Sequence, residues 1–182
     1  MRSLAASVLG IDADPRMAGV PIHRHYGYGE TFYPVEGDLG VVGHNGTKTM
    51  ILRKGETYTV KPGEWHRFFN LRLDEPMSFD AKVVPAHQGF EKLLYIYYGL
   101  VEDGFGDETG APTSLFYALM LMNMGEVGNP GFVGWLFGLA ARTVGWVAWV
   151  SGAEERLTRK YYGKPIGEAT DEERSKWLKK DL

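Results

Sequence analysis

The chain has 182 residues, 44% of them hydrophobic and 24% charged, with a formal net charge of -3 and no cysteine. That composition describes one folded domain, or one domain with an appended subdomain, and it excludes disulfides, thiolate nucleophiles, zinc ribbons and iron–sulfur ligation, so any metal must sit on nitrogen and oxygen. The charge balance is 0 over residues 1–90, -5 over 91–130 and +2 over 131–182, without the basic excess of a nucleic-acid binder.

Residues Met1–Gly10 hold a short apolar run, Leu4–Leu9, soon interrupted by Asp12 and Asp14, and are not read as a secretory signal. From Val20 the chain alternates β-rich runs with turn signals: Val20–His25, Glu30–Val35, Leu39–Val42, Thr47–Leu52, Thr57–Val60, His66–Leu71 and Met77–Val84. Short strands at regular spacing predict an antiparallel sandwich or barrel. His44-Asn45-Gly46 suits a tight hairpin between Val41 and Met50, because Asn and Gly tolerate positive φ, and Pro62-Gly63 supplies a second turn.

Histidine placement carries the chemistry. His23 and His25 are one residue apart in a predicted strand, so alternation points both to one face and Arg24 to the other. After the Gly-punctuated turn Tyr26-Gly27-Tyr28-Gly29, Glu30 opens the next strand and aims a carboxylate at the same centre, and His66 lies in a strand farther along. Neutral imidazoles and a carboxylate are good ligands for a borderline divalent cation, whereas burying them without partners is costly. His44 and His87 are read as non-ligands. Tyr28, Phe32, Phe68 and Phe79 are read mainly as core packing, with Tyr28, Phe32 and Phe68 as candidates to line a substrate pocket.

The stretch His23-Arg24-His25, four residues, Glu30, six residues, Gly37 resembles the first motif of the cupin superfamily: HxH, three or four residues, E, six residues, G. Gly55, then Lys61-Pro62-Gly63, two residues, His66, three residues, Asn70 is similar to the second motif, except that Lys61 stands where the family has a proline. The glycine expected six residues before the first motif histidine falls at Met17, with Gly19 nearby. The resemblance implies a mainly β, jelly-roll barrel in residues 1–88. It also implies one divalent ion, Fe, Mn, Ni or Zn, on His23, His25, Glu30 and His66, with Gly37 and Gly63 as turn residues and Asn70 as structural.

From Gly89 the period changes to that of helices. The spacing of Phe90, Leu93, Leu94, Tyr97 and Leu100 predicts an amphipathic helix over about 89–102, and further helices are expected at about 113–125, 132–151 and 171–181. The last is marked by Thr170 and Glu173 in capping-box spacing. Residues 89–182 thus form a helical extension, an architecture that also resembles small bacterial proteins in which one cupin domain precedes helices.

Phe132–Val150 carries a single charge, Arg142, and is long enough to span a bilayer. Gly134, Gly138, Ala141, Gly145, Ala148 and Gly152 form a small-residue stripe spaced for close helix packing. Trp146, Trp149 and the basic cluster Arg156, Arg159, Lys160 and Lys164 follow in the order of a membrane anchor. Against spanning, a central Arg costs on the order of 3 kcal/mol. The expectation is packing within the protein, across a homodimer, or contact with a membrane surface through 132–150. The chain is expected in the cytoplasm, with membrane association as the variant.

Two function classes stand. One is a metal-dependent enzyme acting on a small organic molecule by dioxygen oxidation, or by isomerase or lyase chemistry. The other is a non-catalytic module that binds or senses a small ligand and uses its helices for dimerisation or membrane association. No nucleic-acid partner is expected, and no separate general base is visible.

Overall fold

The structure is a computed structural model that describes residues 20–72, 75, 77–107 and 111–162. The helix expected at 171–181 and its cap lie outside these residues.

Seven strands run through the first half: β1 (Arg24–His25), β2 (Gly29–Glu36), β3 (Leu39–Gly43), β4 (Lys48–Leu52), β5 (Tyr58–Val60), β6 (Arg67–Asn70) and β7 (Ser78–Val84). Six of them, β2–β7, form two three-stranded antiparallel sheets, ordered β5-β2-β7 and β4-β3-β6. Alternation decides the core. Phe32 from β2, Leu39 and Val41 from β3, Leu52 from β4, Val60 from β5, Phe79 from β7 and the neighbouring Met77 meet between the sheets, while Thr31 and Tyr33 face outward. This is a jelly-roll arrangement, as the resemblance implies, with helices following it.

The predicted turns lie where the chain needs them. His44, Asn45 and Gly46 all have positive φ (50°, 59° and 82°), and the hairpin they close pairs Val41 with Met50. Gly37 (φ 71°) joins β2 to β3, and Gly63 (φ 80°) lies in the turn before His66. Asn70 is structural as well: its Nδ2 donates to the Glu75 carbonyl and its Oδ1 accepts from the Arg72 N–H.

The second half holds α1 (Gln88–Leu100) with a π-helical turn at Val101–Phe105, α2 (Leu115–Met124), the two-residue β8 (Val127–Gly128), α3 (Gly131–Val150) and α4 (Ala153–Tyr162). Ile96 and Leu100 of α1, Met120, Leu121 and Met124 of α2 and Ala148 of α3 make a second core. The helix α4 was not expected; it lies on α1 through a Lys92–Glu154 ion pair at 3.0 Å, and its Lys160 and Tyr161 both reach Asp103. Its sequence, AEERLTRKYY, is polar enough to read as a solvated segment.

The glycine stripe needs one correction. Gly134, Ala141 and Gly145 are buried, and a Cβ on Gly145 would collide with the Asn123 side chain, one on Gly134 with the Asn129 carbonyl. Gly138, expected on the same packed face, opens to free space: a Cβ there meets nothing within 4 Å. At 100° per residue Gly138 sits at the edge of the buried arc.

Two links tie the helices to the barrel. β8 pairs antiparallel with β1, Arg24 opposite Gly128 and His25 opposite Val127. The Gly125 carbonyl, at the end of α2, meets His25 at 2.8 Å and Tyr28 at 2.7 Å.

Candidate metal centre

Strand geometry assembles the four residues singled out by spacing. His23 and His66 lie opposite each other and exchange backbone hydrogen bonds of 2.9 and 2.8 Å. His25 follows on the same face as His23, and Glu30 enters from β2 on the face that also carries Phe32. Arg24 points away, stacked between the rings of Tyr26 and Trp65. One ligand atom from each of His23, His25, Glu30 and His66 lies within 4.8 Å of the others. His25, Glu30 and His66 are at most 4% exposed, and the His23 ring packs 4.9 Å from His25 and 4.4 Å from His66.

The backbone fixes the protonation pattern. His23 Nδ1 lies 2.8 Å from the Pro21 carbonyl, His25 Nδ1 2.8 Å from the Gly125 carbonyl and His66 Nδ1 3.0 Å from the Glu64 carbonyl. A carbonyl oxygen only accepts, so each Nδ1 carries the hydrogen and each Nε2 of a neutral ring presents a lone pair. His66 Nε2 points at Glu30 Oε2 at 2.9 Å, and His25 Nε2 lies 3.6 Å from the same oxygen with no hydrogen-bond partner. Three lone pairs and a carboxylate facing one another in a buried space repel unless a cation or proton lies between them.

The donor set fits a divalent ion. Ligands about 2.0–2.2 Å from a shared ion lie at most about 4.4 Å apart, so the cluster needs only a slight contraction to close on one. The orienting carbonyls supply the outer hydrogen bonds that hold metal-binding imidazoles in place.

Burial lowers the pKa of His23 to about 3, aided by the neighbouring His66 and His25 and opposed by the Pro21 carbonyl; burial also lowers that of His25 to about 4, against the bond to Gly125. Both rings are therefore neutral near pH 7, as ligation requires. Because the folded values lie below the ordinary 6.5, the unfolded chain takes up protons below that pH that the fold does not. Stability from these groups is complete above pH 6.5 and is lost as pH falls toward 4 and 3. The urea midpoint of metal-free protein is expected to drop steadily between pH 7 and pH 4.5; a midpoint flat across that window would contradict the buried neutral pair.

Of the three aromatic residues expected beside the site, Tyr28 and Phe32 are fully buried and Phe68 half-buried. The Tyr28 ring stacks on His25 at 4.4 Å, and burial raises its hydroxyl pKa so that it remains a donor, held on the Gly125 carbonyl. Phe32 lies 6.3 Å from His66 and packs with Phe68 and Phe79. His44 sits in its hairpin away from the cluster; His87 caps α1 by accepting the Phe90 N–H and meets Glu126 at 3.2 Å. Gly125 and Phe90, whose ring meets His25 edge-on at 5.9 Å, are contributors that the sequence reading missed.

The lysine in place of the motif proline has a local reason. The Lys61 N–H, which proline lacks, donates to Glu64 Oε2 at 3.0 Å. Burial alone would raise the Glu64 pKa, but N–H donors from Lys61, Asn45 and His44 and the Tyr58 hydroxyl hold it below the ordinary carboxylate value. Glu64 thereby joins the hairpin to the turn whose own carbonyl orients His66.

Residues 13–84 match the family described as Cupin domain. Residues 13–84 are thus a cupin domain. It is similar to a cupin-2 domain containing protein from Shewanella frigidimarina, 22% identical over 38% of this chain and 62% of that one, with a TM-score of 0.32. It is also similar to an uncharacterized conserved protein with a double-stranded beta-helix domain from Klebsiella pneumoniae, 25% identical over 37% and 53%, with a TM-score of 0.33. A recombinant oxalate oxidase in complex with glycolate is similar at 19% identity over 50% and 52%, TM-score 0.30. The chain thus spans less than two thirds of the length of each. Comparison with curated proteins finds no match.

Proposed function

We propose that the protein is a metal-dependent cupin enzyme that binds a small chelating organic molecule at a divalent ion, Fe, Mn, Ni or Zn, held by His23, His25, Glu30 and His66. The observation that carries this reading is the shared orientation: three rings set Nδ1 against backbone carbonyls, and a ligand atom from each lies within 4.8 Å of the others and of Glu30. When bound, the ion would supply Lewis-acid or redox chemistry to a hydroxy, enol or keto group. Glu30 contributes the negative charge that offsets the cation, His25 is held by Gly125 and Tyr28, and Phe32 and Phe68 form an apolar wall that keeps water from the neighbourhood of His66.

The second reading, a ligand-sensing module, is favoured by a specific contact. The Gly125 carbonyl joins His25 directly to the end of α2, a route by which a change at the cluster would reach the helices.

Elemental analysis of protein purified without added metal is expected to find about one divalent ion per chain, and Co²⁺-loaded protein to change its visible spectrum on addition of α-hydroxy or α-keto acids. Glu30→Gln should abolish turnover, and oxygen consumption would separate oxidation from isomerisation or lyase chemistry. A spectral response without turnover, accompanied by altered hydrogen exchange in Leu115–Met124, would favour the sensing reading. Substoichiometric metal from every preparation would sink the enzyme reading.

A further inference from the structure

The helix α3 presents a face that the packing of the described residues does not cover. Its buried side packs on α2 and, at Gly134, on Asn129, while Phe132, Trp135, Trp146 and Trp149 are 73%, 57%, 62% and 70% exposed, with Val133, Leu136, Leu139, Val147 and Val150 exposed between them. A continuous apolar surface of this kind on a folded chain marks a contact site. Residues 131–150 contain no Asp or Glu, and Arg142, exposed among the tryptophans, makes no ion pair or hydrogen bond with any described residue.

We infer that this face lies in the interfacial plane of a membrane containing anionic lipid, with the tryptophans at the level of the headgroups and Arg142 on their phosphates. The charge pattern selects this occupant. A cation without a partner among the described residues, on a stripe without carboxylates, complements an anionic surface. Trp135, Arg142 and Trp149 recur every seven residues and so share one flank of the helix, where amphipathic rings and a long cationic side chain reach the polar layer together.

A second copy of the chain fits less well. Arg142 is near the midpoint of Gly131–Val150, so antiparallel self-pairing across this face would set two guanidinium groups a few Å apart along the axis, at a rise of about 1.5 Å per residue, with no carboxylate to separate them. Spanning fits less well too. The helix is long and apolar enough to cross a membrane, but one side of it is committed to α2.

The test uses the full chain with two kinds of vesicle, phosphatidylcholine alone and phosphatidylcholine with about 30% phosphatidylserine. Wild-type protein is expected to sediment with the anionic vesicles, to be released by salt, and to show blue-shifted tryptophan emission quenched by brominated acyl chains. Trp146→Ser with Trp149→Ser alters exposed side chains only, so circular dichroism and metal content should be unchanged while partitioning falls at least about tenfold. Arg142→Glu should weaken binding to the anionic vesicles selectively. Protein that stays in the supernatant with both vesicles overturns the inference, as does binding that survives the double tryptophan substitution. A wild-type dimer that this substitution converts to monomers, without vesicle binding, would overturn it in favour of a second copy.

Discussion

Protein carrying both His23→Ala and His25→Ala is expected to purify essentially free of the divalent metal, with its β-sheet circular dichroism preserved. Loss of a single outer hydrogen bond to a metal ligand weakens affinity about 10–100-fold, so removing two direct ligands should exceed 100-fold. The barrel should survive because its main core, Phe32, Leu39, Val41, Leu52, Val60, Met77 and Phe79, contains neither histidine. Glu30 keeps His66 at 2.9 Å and is not left alone in the interior. Inductively coupled plasma analysis together with far-ultraviolet spectra checks both halves of the statement. Stoichiometric metal in the double variant would place the ion elsewhere.

Gly89→Ala should damage the barrel's histidine cluster from the helical side. Gly89 is the second residue of α1, and a Cβ there would collide with the Met124 carbonyl oxygen and come within 2.9 Å of His87 Cε1. Carbonyl and helix are both backbone, so no rotamer change relieves the contact, and overpacking of this kind costs about 1–3 kcal/mol. The neighbouring carbonyl, Gly125, holds His25 and Tyr28, so displacement of the Met124–Gly125 turn should also lower metal affinity by the 10–100-fold expected when an orienting bond is lost. Urea unfolding reads the first effect and a chelator competition titration the second. Gly138→Ala is the control: its Cβ meets nothing, and the gain in helix propensity makes it neutral or slightly stabilising. If Gly89→Ala behaves like Gly138→Ala, α1 does not bear on the site.

Acid loss of stability and the vesicle assay probe different parts of the molecule from these two substitutions. The first depends on buried imidazoles in the barrel, the second on exposed tryptophans of α3, so one can fail without the other.

Much of the barrel is legible in the order of residues because its information is local. Side-chain alternation with period two, positive-φ turns at Asn45-Gly46 and Gly63, and the HxH spacing each act within a few residues, and together they place the strands and bring His23, His25, Glu30 and His66 to one face. The long apolar segment 131–150 is equally plain from its composition. The orientation of His25 is not legible, because its partner is a backbone carbonyl 100 residues away and a carbonyl has the same chemistry at every position. Nor is β8, whose two residues are too short to show a period, or α4, whose polar sequence reads as solvated surface until Tyr161 is seen packing on Gly99. Gly134, Gly138 and Gly145 look alike in a stripe. Which of them touches a neighbour is decided only when α3, α2 and the Asn129 turn are packed together.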